Sequence, residues 1–317
     1  MTQTAVYAPA PNPLRGIGLK VASVAVFMAM STCIKTVGLA VPTGEVVFFR
    51  SFFAIPVILA WLWWTGDLAH GLETRNPMGH LWRGLVGGTA MALSFTALGL
   101  LPLPEVTAIG YAAPLLVTIF AAMFLGETVR IYRLGAVILG LVGVLVVLHP
   151  RMSVLSVAGA TKLETLGAMA MLMAAVFMAL AVVFVRKLVQ TEKTAAIVFY
   201  FSLTCTLLSL LTIPFGWVVP SASDAALLIL AGLLGGFAQI LLTTSYRFAE
   251  TAVIAPFEYT SMLLALAVGW FVFAEAPTGP MLIGAALVMA AGLFIIWRER
   301  QLGLERGKAR RIVTPQG

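Results

Sequence analysis

The sequence predicts an all-α polytopic membrane protein: ten transmembrane helices arranged as two inverted-topology repeats of five. Three observations lead there. The composition is too apolar for water, the apolar residues fall into ten runs of spanning length, and the second half of the chain repeats the first. Of 317 residues, 61% are apolar and only 10% are charged, with a mean hydropathy of +1.01. Soluble domains hold about 45–50% apolar and about 25% charged residues. A soluble chain of this composition would have too little polar surface to cover itself, and lipid removes that demand.

Runs of about 20 mostly apolar residues are the length a helix needs to cross a bilayer. They place helices over 16–37, 44–64, 83–101, 105–125, 132–149, 165–187, 194–215, 225–246, 251–274 and 279–297. The runs are continuous rather than alternating and about twice as long as a barrel strand, which argues against a β-barrel. The first run has no small-x-small cleavage site and is long enough to span, so it reads as a helix that stays. Ahead of it, residues 1–13 carry Pro9, Pro11 and Pro13 and no Lys or Arg. They are expected to be a disordered cytoplasmic tail.

Charge placement orients the helices. With the N-terminus inside, sixteen basic residues fall on the cytoplasmic side, among them Arg15, Lys20, Arg75, Arg83, Arg186, Arg247 and Arg298. Only Lys35, Arg151 and Lys162 fall outside, and Arg50 lies within the second helix. That asymmetry follows the positive-inside rule and puts both termini in the cytoplasm. It also accounts for the net charge of +7 without a nucleic-acid partner. Trp61, Trp63, Trp64, Trp82, Trp217 and Trp297 lie near helix ends, where an interfacial aromatic belt belongs. The expected location is a bacterial-type inner (plasma) membrane, crossed many times.

The residues also exclude several chemistries. Cys33 and Cys205 lie in different apolar segments without metal-ligand spacing, so neither a disulfide framework nor a metal site is expected. His70, His80 and His149 fall in loops or at helix ends, which leaves no buried Ser–His pair or histidine-rich metal site. No GxxxxGK[ST] loop is present, so ATP cannot be the energy source within this chain. No cofactor is expected.

The chain contains itself twice. AVFMA at 25–29 recurs at 175–179, and GLVGG at 84–88 recurs as GLLGG at 232–236. The second offset continues without a gap, pairing Ala90 with Ala238, Thr96 with Thr244, Tyr111 with Tyr259, and FLGE ending at Glu127 with VFAE ending at Glu275. A further residue of slip pairs Gly135 with Gly284 and Gly143 with Gly292. Five helices per half is an odd number, so the halves enter the membrane from opposite sides. Inverted repeats of this kind build a midplane site between the halves.

At these residues the chain resembles the drug/metabolite transporter superfamily, specifically its EamA-type members. The resemblance rests on Lys35 ending the first helix and Arg50 early in the second, within FFRSFFA. It rests further on the Pro-bearing segment from Pro114 to Glu127, the Gly-rich fifth helix, and APFEY at 255–259 leading to FAE at 273–275. The second half departs from the first in having Ala274 rather than Gly before its Glu, and Met262 opposite Pro114. The resemblance implies ten helices around a central cavity, with the fifth and tenth outside it. It divides the chain into a tail (1–13), a first EamA-like repeat (14–149), an external linker (150–164), a second repeat (165–298) and a basic cytoplasmic tail (299–317).

Seven residues are candidates for a substrate site. Glu258 lies about seven residues inside the ninth helix, where a charge costs at least ~2.5 kcal/mol and marks either a functional group or a buried structural pair. A substrate amine or a coupling proton is its functional reading. Tyr259 and its repeat mate Tyr111 offer an aromatic face and one hydroxyl each, or simply pack. Thr107, Tyr111, Pro114 and Thr118 share one helical face by their spacing. Gln239 is a buried amide that binds solute or joins helices. Arg50 is placed to meet a substrate carboxylate, or to pair with Glu45 or Glu258, whereas Lys35 can snorkel to the outer surface. Pro114 and Pro256 remove backbone bonds to the carbonyls of Gly110 and Ala252.

The function expected from these residues is secondary transport of small metabolites by alternating access, with export of amino acids or related amphipathic solutes foremost and proton coupling open. A non-transporting receptor or assembly subunit is the alternative, and an intramembrane enzyme a more remote one.

Overall fold

A computed structural model describes residues 12–125, 131–152, 162–248 and 254–312. The described residues are helical with short turns and contain no strand. The helices are α1 (Pro13–Val37), α2 (Thr43–Phe52), α3 (Ala54–Trp64), α4 (Pro77–Leu100), α5 (Leu103–Gly110), α6 (Ala112–Leu125), α7 (Ile131–Met152), α8 (Lys162–Leu188), α9 (Thr194–Leu210), α10 (Ala222–Phe248), α11 (Thr260–Phe273) and α12 (Gly279–Ile312). Each of the ten apolar runs is found in them. Pro13–Ala40, Thr43–Trp64, Lys162–Leu188, Ala222–Phe248 and Gly279–Arg298 are individually long and apolar enough to cross a membrane.

Local sequence explains where the helices begin and stop. Asn12 caps α1 by accepting from the Arg15 amide at 3.1 Å, with Pro13 in the first turn. Asn76 and Pro77 repeat the device on α4, where Asn76 accepts from the Gly79 amide at 2.9 Å. A side-chain acceptor satisfies an amide with no intrahelical partner, and proline has no amide to satisfy. Gly38 ends α1 at φ 59°, a conformation that costs glycine nothing.

Three of the ten runs are not the unbroken helices the apolar pattern suggests. The run 44–64 divides at Phe53, between α2 and α3, three residues before Pro56. The run 105–125 divides at Tyr111, between α5 and α6, three residues before Pro114. In each case the proline cannot donate to the carbonyl four residues back, so the chain tightens at the preceding turn. The run 251–274 opens with a 3-10 turn over Ala255–Tyr259 that contains Pro256, and only then becomes α11. The expected helix 194–215 ends at Leu210, followed by a short 3-10 turn at Ile213–Phe215.

Helix α12 continues to Ile312, so the span assigned to a basic tail is helical through most of its length. The expected disordered tail falls largely on residues 1–11, outside the described residues. So do the middle of the expected linker, residues 153–161, and Gly126 and Glu127 of the Leu-Gly-Glu motif.

Helices from the two halves of the chain interleave. The most extensive contacts join α1 to α10, α4 to α8 and α7 to α12; α9 packs on α2 and α4, α6 on α8, and α5 on α11. One apolar core runs through both halves, from Met28 and Ile34 through Leu98, Ile109 and Leu148 to Met262 and Val288. The outer surface is apolar too: Trp64 is 86% exposed, Phe271 83% and Val219 97%. Large apolar groups facing outward all round are what a lipid-embedded bundle presents.

Glycines set the closest approaches. A Cβ on Gly236 of α10 would meet the Ala54 backbone at 2.9 Å, and one on Gly232 would meet the Phe49 carbonyl oxygen at 2.7 Å. Gly143 and Gly284 face each other across α7 and α12, each leaving room for the other's carbonyl. Small residues allow helix backbones to pack this closely in lipid.

Candidate functional site

The prolyl break before α11 places Glu258. Its 3-10 turn lies against α1 and α12, and two hydroxyls hold the turn's carbonyls: Thr260 donates to Phe257 O at 2.6 Å and Ser261 to Glu258 O at 2.7 Å. Such side-chain donors replace the regular helical bonds that the turn forgoes. The Glu258 carboxylate pairs directly with the ammonium of Lys20 on α1. The two differ sharply in exposure: the Lys20 side chain is 4% exposed and that of Glu258 41%.

This partner was not among those the sequence suggested. Lys20 reads there as one of the cytoplasmic charges, yet it sits seven residues past Pro13, roughly 10 Å along the helix at 1.5 Å per residue, and is buried. Arg83, counted with the same cytoplasmic set, is buried as well. Setting both aside leaves the charge asymmetry intact.

Tyr111 and Tyr259 meet at the same place. Their rings are 5.1 Å apart at 75°, an edge-to-face contact of the kind aromatic quadrupoles favour. The Tyr111 hydroxyl lies 2.8 Å from Ser261 Oγ. Since Ser261 gives its proton to Glu258 O, the phenol is the donor in this pair. A chain of hydrogen bonds thus runs from Tyr111 of the first half to the backbone of Glu258 in the second. Tyr259 points at α12, where a Cβ on Gly292 would fall 1.6 Å from its hydroxyl. Both rings are buried, at 4% and 8% exposure.

The remaining candidates lie apart from this group. Thr107 is half-buried and donates to Leu103 O of its own helix at 2.9 Å. Gln239 is half-buried on α10. Thr118 falls on α6, but its side chain is outside the described residues. Arg50 meets neither of the acids the sequence offered it. Glu45 accepts instead from the Val218 amide at 3.1 Å, and Glu258 is taken by Lys20. The Arg50 guanidinium lies over the Phe201 ring of α9, 5.6 Å from its centroid.

A second ion pair closes the other end of α1. Lys35 lies 2.8 Å from Glu275 and donates to Leu101 O at 2.7 Å, so it is anchored rather than snorkelling. The other Glu275 oxygen accepts from the Leu103 amide at 2.8 Å, capping α5 from the far half of the chain. Elsewhere, Glu192 caps α4 by accepting from the Arg75 and Asn76 amides at 2.9 and 3.0 Å. Among the described residues, no group of three or more metal-binding side chains occurs.

Known proteins resemble the chain over nearly its whole length. It is 27% identical to an S-adenosylmethionine uptake transporter of Rickettsia felis, over 91% of this chain and 94% of the relative. It is 29% identical to a riboflavin transporter of Rhizobium johnstonii, over 83% and 84%. A pseudopaline exporter of Pseudomonas aeruginosa matches at 29% identity, over 87% and 94%. These names cover both directions of transport, and amino-acid export is not among them. A crystal structure superposes with a TM-score of 0.65 at 22% identity, covering 90% of this chain and 98% of the other, which establishes the shared fold. The profile of the EamA-like transporter family matches twice, over residues 14–149 and 165–297. A multi-pass helical protein matched in this way is a transporter-family protein and not an enzyme: the chain belongs to the EamA-like transporter family.

Proposed function

We propose that the chain is a secondary transporter of small amphipathic metabolites, working without ATP by alternating access between two inverted five-helix halves. Glu258 is the group through which substrate or a coupling proton acts, and Lys20 is its partner in the closed pair. The observation that carries this reading is the Lys20–Glu258 pair itself, an ion pair inside the bundle that joins the first helix of one half to the ninth segment of the chain. Ionisable residues at such depth mark substrate or proton paths in transporters. The carboxylate is the half-exposed member, so an arriving amine or proton reaches it while Lys20 stays covered.

The helix pairing supports the inverted arrangement. Numbering the ten runs in order, the first packs on the eighth and the third on the sixth, while the second, fourth and fifth pack on the seventh, ninth and tenth. Exchanging each run with the one five places away returns the same set of pairs. A two-fold relation between halves has that property, and the doubled family match and the internal sequence repeat agree with it. Amines with an apolar body, amino acids and related solutes included, suit a carboxylate beside two phenols. Both termini are cytoplasmic in this reading, and the membrane is a bacterial inner membrane.

Counterflow in proteoliposomes, run against a panel of amino acids, amine-bearing metabolites and neutral controls, tests the proposal. At least one amine-bearing solute should exchange saturably. Glu258→Gln, combined with Lys20→Met to keep charge balanced, should abolish that exchange while leaving membrane insertion normal. Wild-type flux with unchanged pH dependence in the double variant would reduce the pair to a structural tie.

A further inference from the structure

Two arginines enter the bundle without an ion pair to any acid among the described residues. Arg50 in the last turn of α2 is 3% exposed, and Arg83 in the second turn of α4 is 7% exposed. Both lie over one ring: the guanidinium carbon of Arg83 is 4.0 Å from the Phe201 centroid, on the same ring that Arg50 approaches. The Nε and Nη1 atoms of each are buried without a hydrogen-bond partner. Four buried donor nitrogens of two like charges therefore converge on one aromatic side chain.

Three carboxylates of the bundle are committed elsewhere. Glu45 holds the Val218 amide, Glu192 the α4 N-terminus, and Glu258 holds Lys20. The Cys205 thiol, which lies beside the arginines, donates toward Gly84 O. Arginine stays protonated under all ordinary conditions, so the arrangement buries uncompensated positive charge, the costliest kind of burial.

The backbone is nevertheless shaped to hold these side chains. A Cβ on Gly87 would fall 1.9 Å from Arg83 Nη1, and one on Gly235 would fall 2.9 Å from Arg50 Nε. Gly87 and Gly235 occupy the same place in GLVGG and GLLGG, one in each half of the chain. Each half thus supplies a glycine notch in which one guanidinium sits. An accidental intrusion of charge would not call for a matched pair of notches.

We infer that Arg50 and Arg83, floored by Phe201 and seated in the Gly87 and Gly235 notches, bind an oxyanion, a carboxylate or phosphate carried by a small solute. The planar guanidinium fork matches such groups bidentately, and stacking on an aromatic ring fixes its plane. Two forks supply more donors than a single carboxylate or phosphate oxygen pair needs, and the anion removes the repulsion between them. The inference rests on the transport reading for its choice of a solute as the occupant. It adds recognition of the solute's anionic end to that of the cationic end by Glu258, on α2, α4 and α9 rather than on α1 and the 3-10 turn before α11.

Binding to the purified full-length protein tests this without any transport. In nanodiscs of phosphatidylcholine alone, inorganic phosphate and succinate should raise the melting temperature saturably, and chloride at matched ionic strength should not. Arg50→Gln and Arg83→Gln should weaken that response at least tenfold, and Arg83→Lys should restore it only in part. Gly87→Ala covers the case in which the arginine variants do not fold: its Cβ meets side-chain atoms alone, Arg83 Nη1 at 1.9 Å and the edge of the Phe201 ring at 3.0 Å, and it should weaken the response with both charges present. An absent response in the wild type, or an undiminished one in these variants, overturns the proposal. If nanodiscs containing phosphatidylglycerol themselves raise the melting temperature and erase the phosphate response, the occupant is a lipid phosphate and the solute is overturned. Lost counterflow with an intact phosphate response would sink the transport reading alone.

Discussion

Lys35 and Glu275 meet at 2.8 Å at one end of α1, while Lys20 and Glu258 meet nearer the other. The same two segments, α1 and the stretch that contains α11, are therefore bridged twice, once toward each end of α1. A helix pair held at both ends is a closed pair. In the alternating-access cycle proposed above, opening toward one side parts the bridge on that side and leaves the other as the pivot.

The Lys35 bridge carries more than an ion pair. Glu275 also caps α5 through the Leu103 amide, so Glu275→Gln strips charge from two bonds at once. Hydrogen bonds to charged groups contribute about 1.5–3 kcal/mol, and a loss of that order is expected in the folded protein. Lys35→Met should cost less, because Glu275 keeps the Leu103 amide. Thermal unfolding in detergent checks the order; equal losses would mean that the cap contributes nothing.

Breaking the Lys20 bridge should be asymmetric in the same way. Glu258→Gln leaves an ammonium that is 4% exposed without an anion, whereas Lys20→Met leaves a carboxylate that is 41% exposed and can hydrate. Removing one member of a buried pair costs about 3–5 kcal/mol when the other stays buried. Glu258→Gln should approach that range, Lys20→Met should fall well short of it, and the double variant should resemble Lys20→Met. A double variant less stable than either single one would contradict this account.

The helices were legible in the sequence because each is a long apolar run, and the hydrocarbon core allows such a run few other structures. Their interruptions were partly legible. Pro114 and Pro256 marked two of them; the third, before Pro56, was not read from the sequence although the same rule applies. The pairings were another matter. Lys20 and Arg83 lie near the helix ends that charge counting assigns to the cytoplasm, and nothing local distinguishes a buried cation from a hydrated one. For Arg83 one clue was present: Gly87 lies four residues on, the position stacked above it on a helix. Lys20 and Glu258 are brought together only by the packing of α1 against the 3-10 turn, which no spacing along the chain expresses. Tyr111 and Tyr259 were legible as repeat mates, but Ser261, which joins Tyr111 to the Glu258 backbone, has no counterpart in the first half, where Ala113 stands.

Ala274 shows where the second repeat departs from the first at a cost. It ends α11 in the left-handed conformation, φ 54° and ψ 30°, at the place where the first half has Gly126. An L-residue with a Cβ loses about 1–2 kcal/mol there, which glycine does not. The Glu275 amide still closes the turn on Gly269 O at 2.8 Å, so the geometry exists and only its strain would change. Ala274→Gly should therefore raise the melting temperature and leave the Lys35–Glu275 bridge in place. A lower melting temperature would show that the alanine methyl group contributes packing that outweighs the strain.

Orientation is the expectation with the widest consequences, since it decides which bridge faces which compartment. The charge asymmetry puts the turn between α3 and α4 in the cytoplasm and the turn between α9 and α10 outside. Each turn has an exposed apolar residue suited to labelling: Leu68 at 47% and Val219 at 97% exposure. In a background with Cys33 and Cys205 replaced by serine or alanine, Val219→Cys should react with a membrane-impermeant maleimide in intact cells. Leu68→Cys should react only after the membrane is opened. That outcome places Lys35 and Glu275 toward the outside and Lys20 and Glu258 toward the cytoplasm, so that a cytoplasmic proton or amine meets Glu258 first. The reverse pattern would turn the molecule over, move Glu258 to the external side and reverse which bridge must open to admit a cytoplasmic solute.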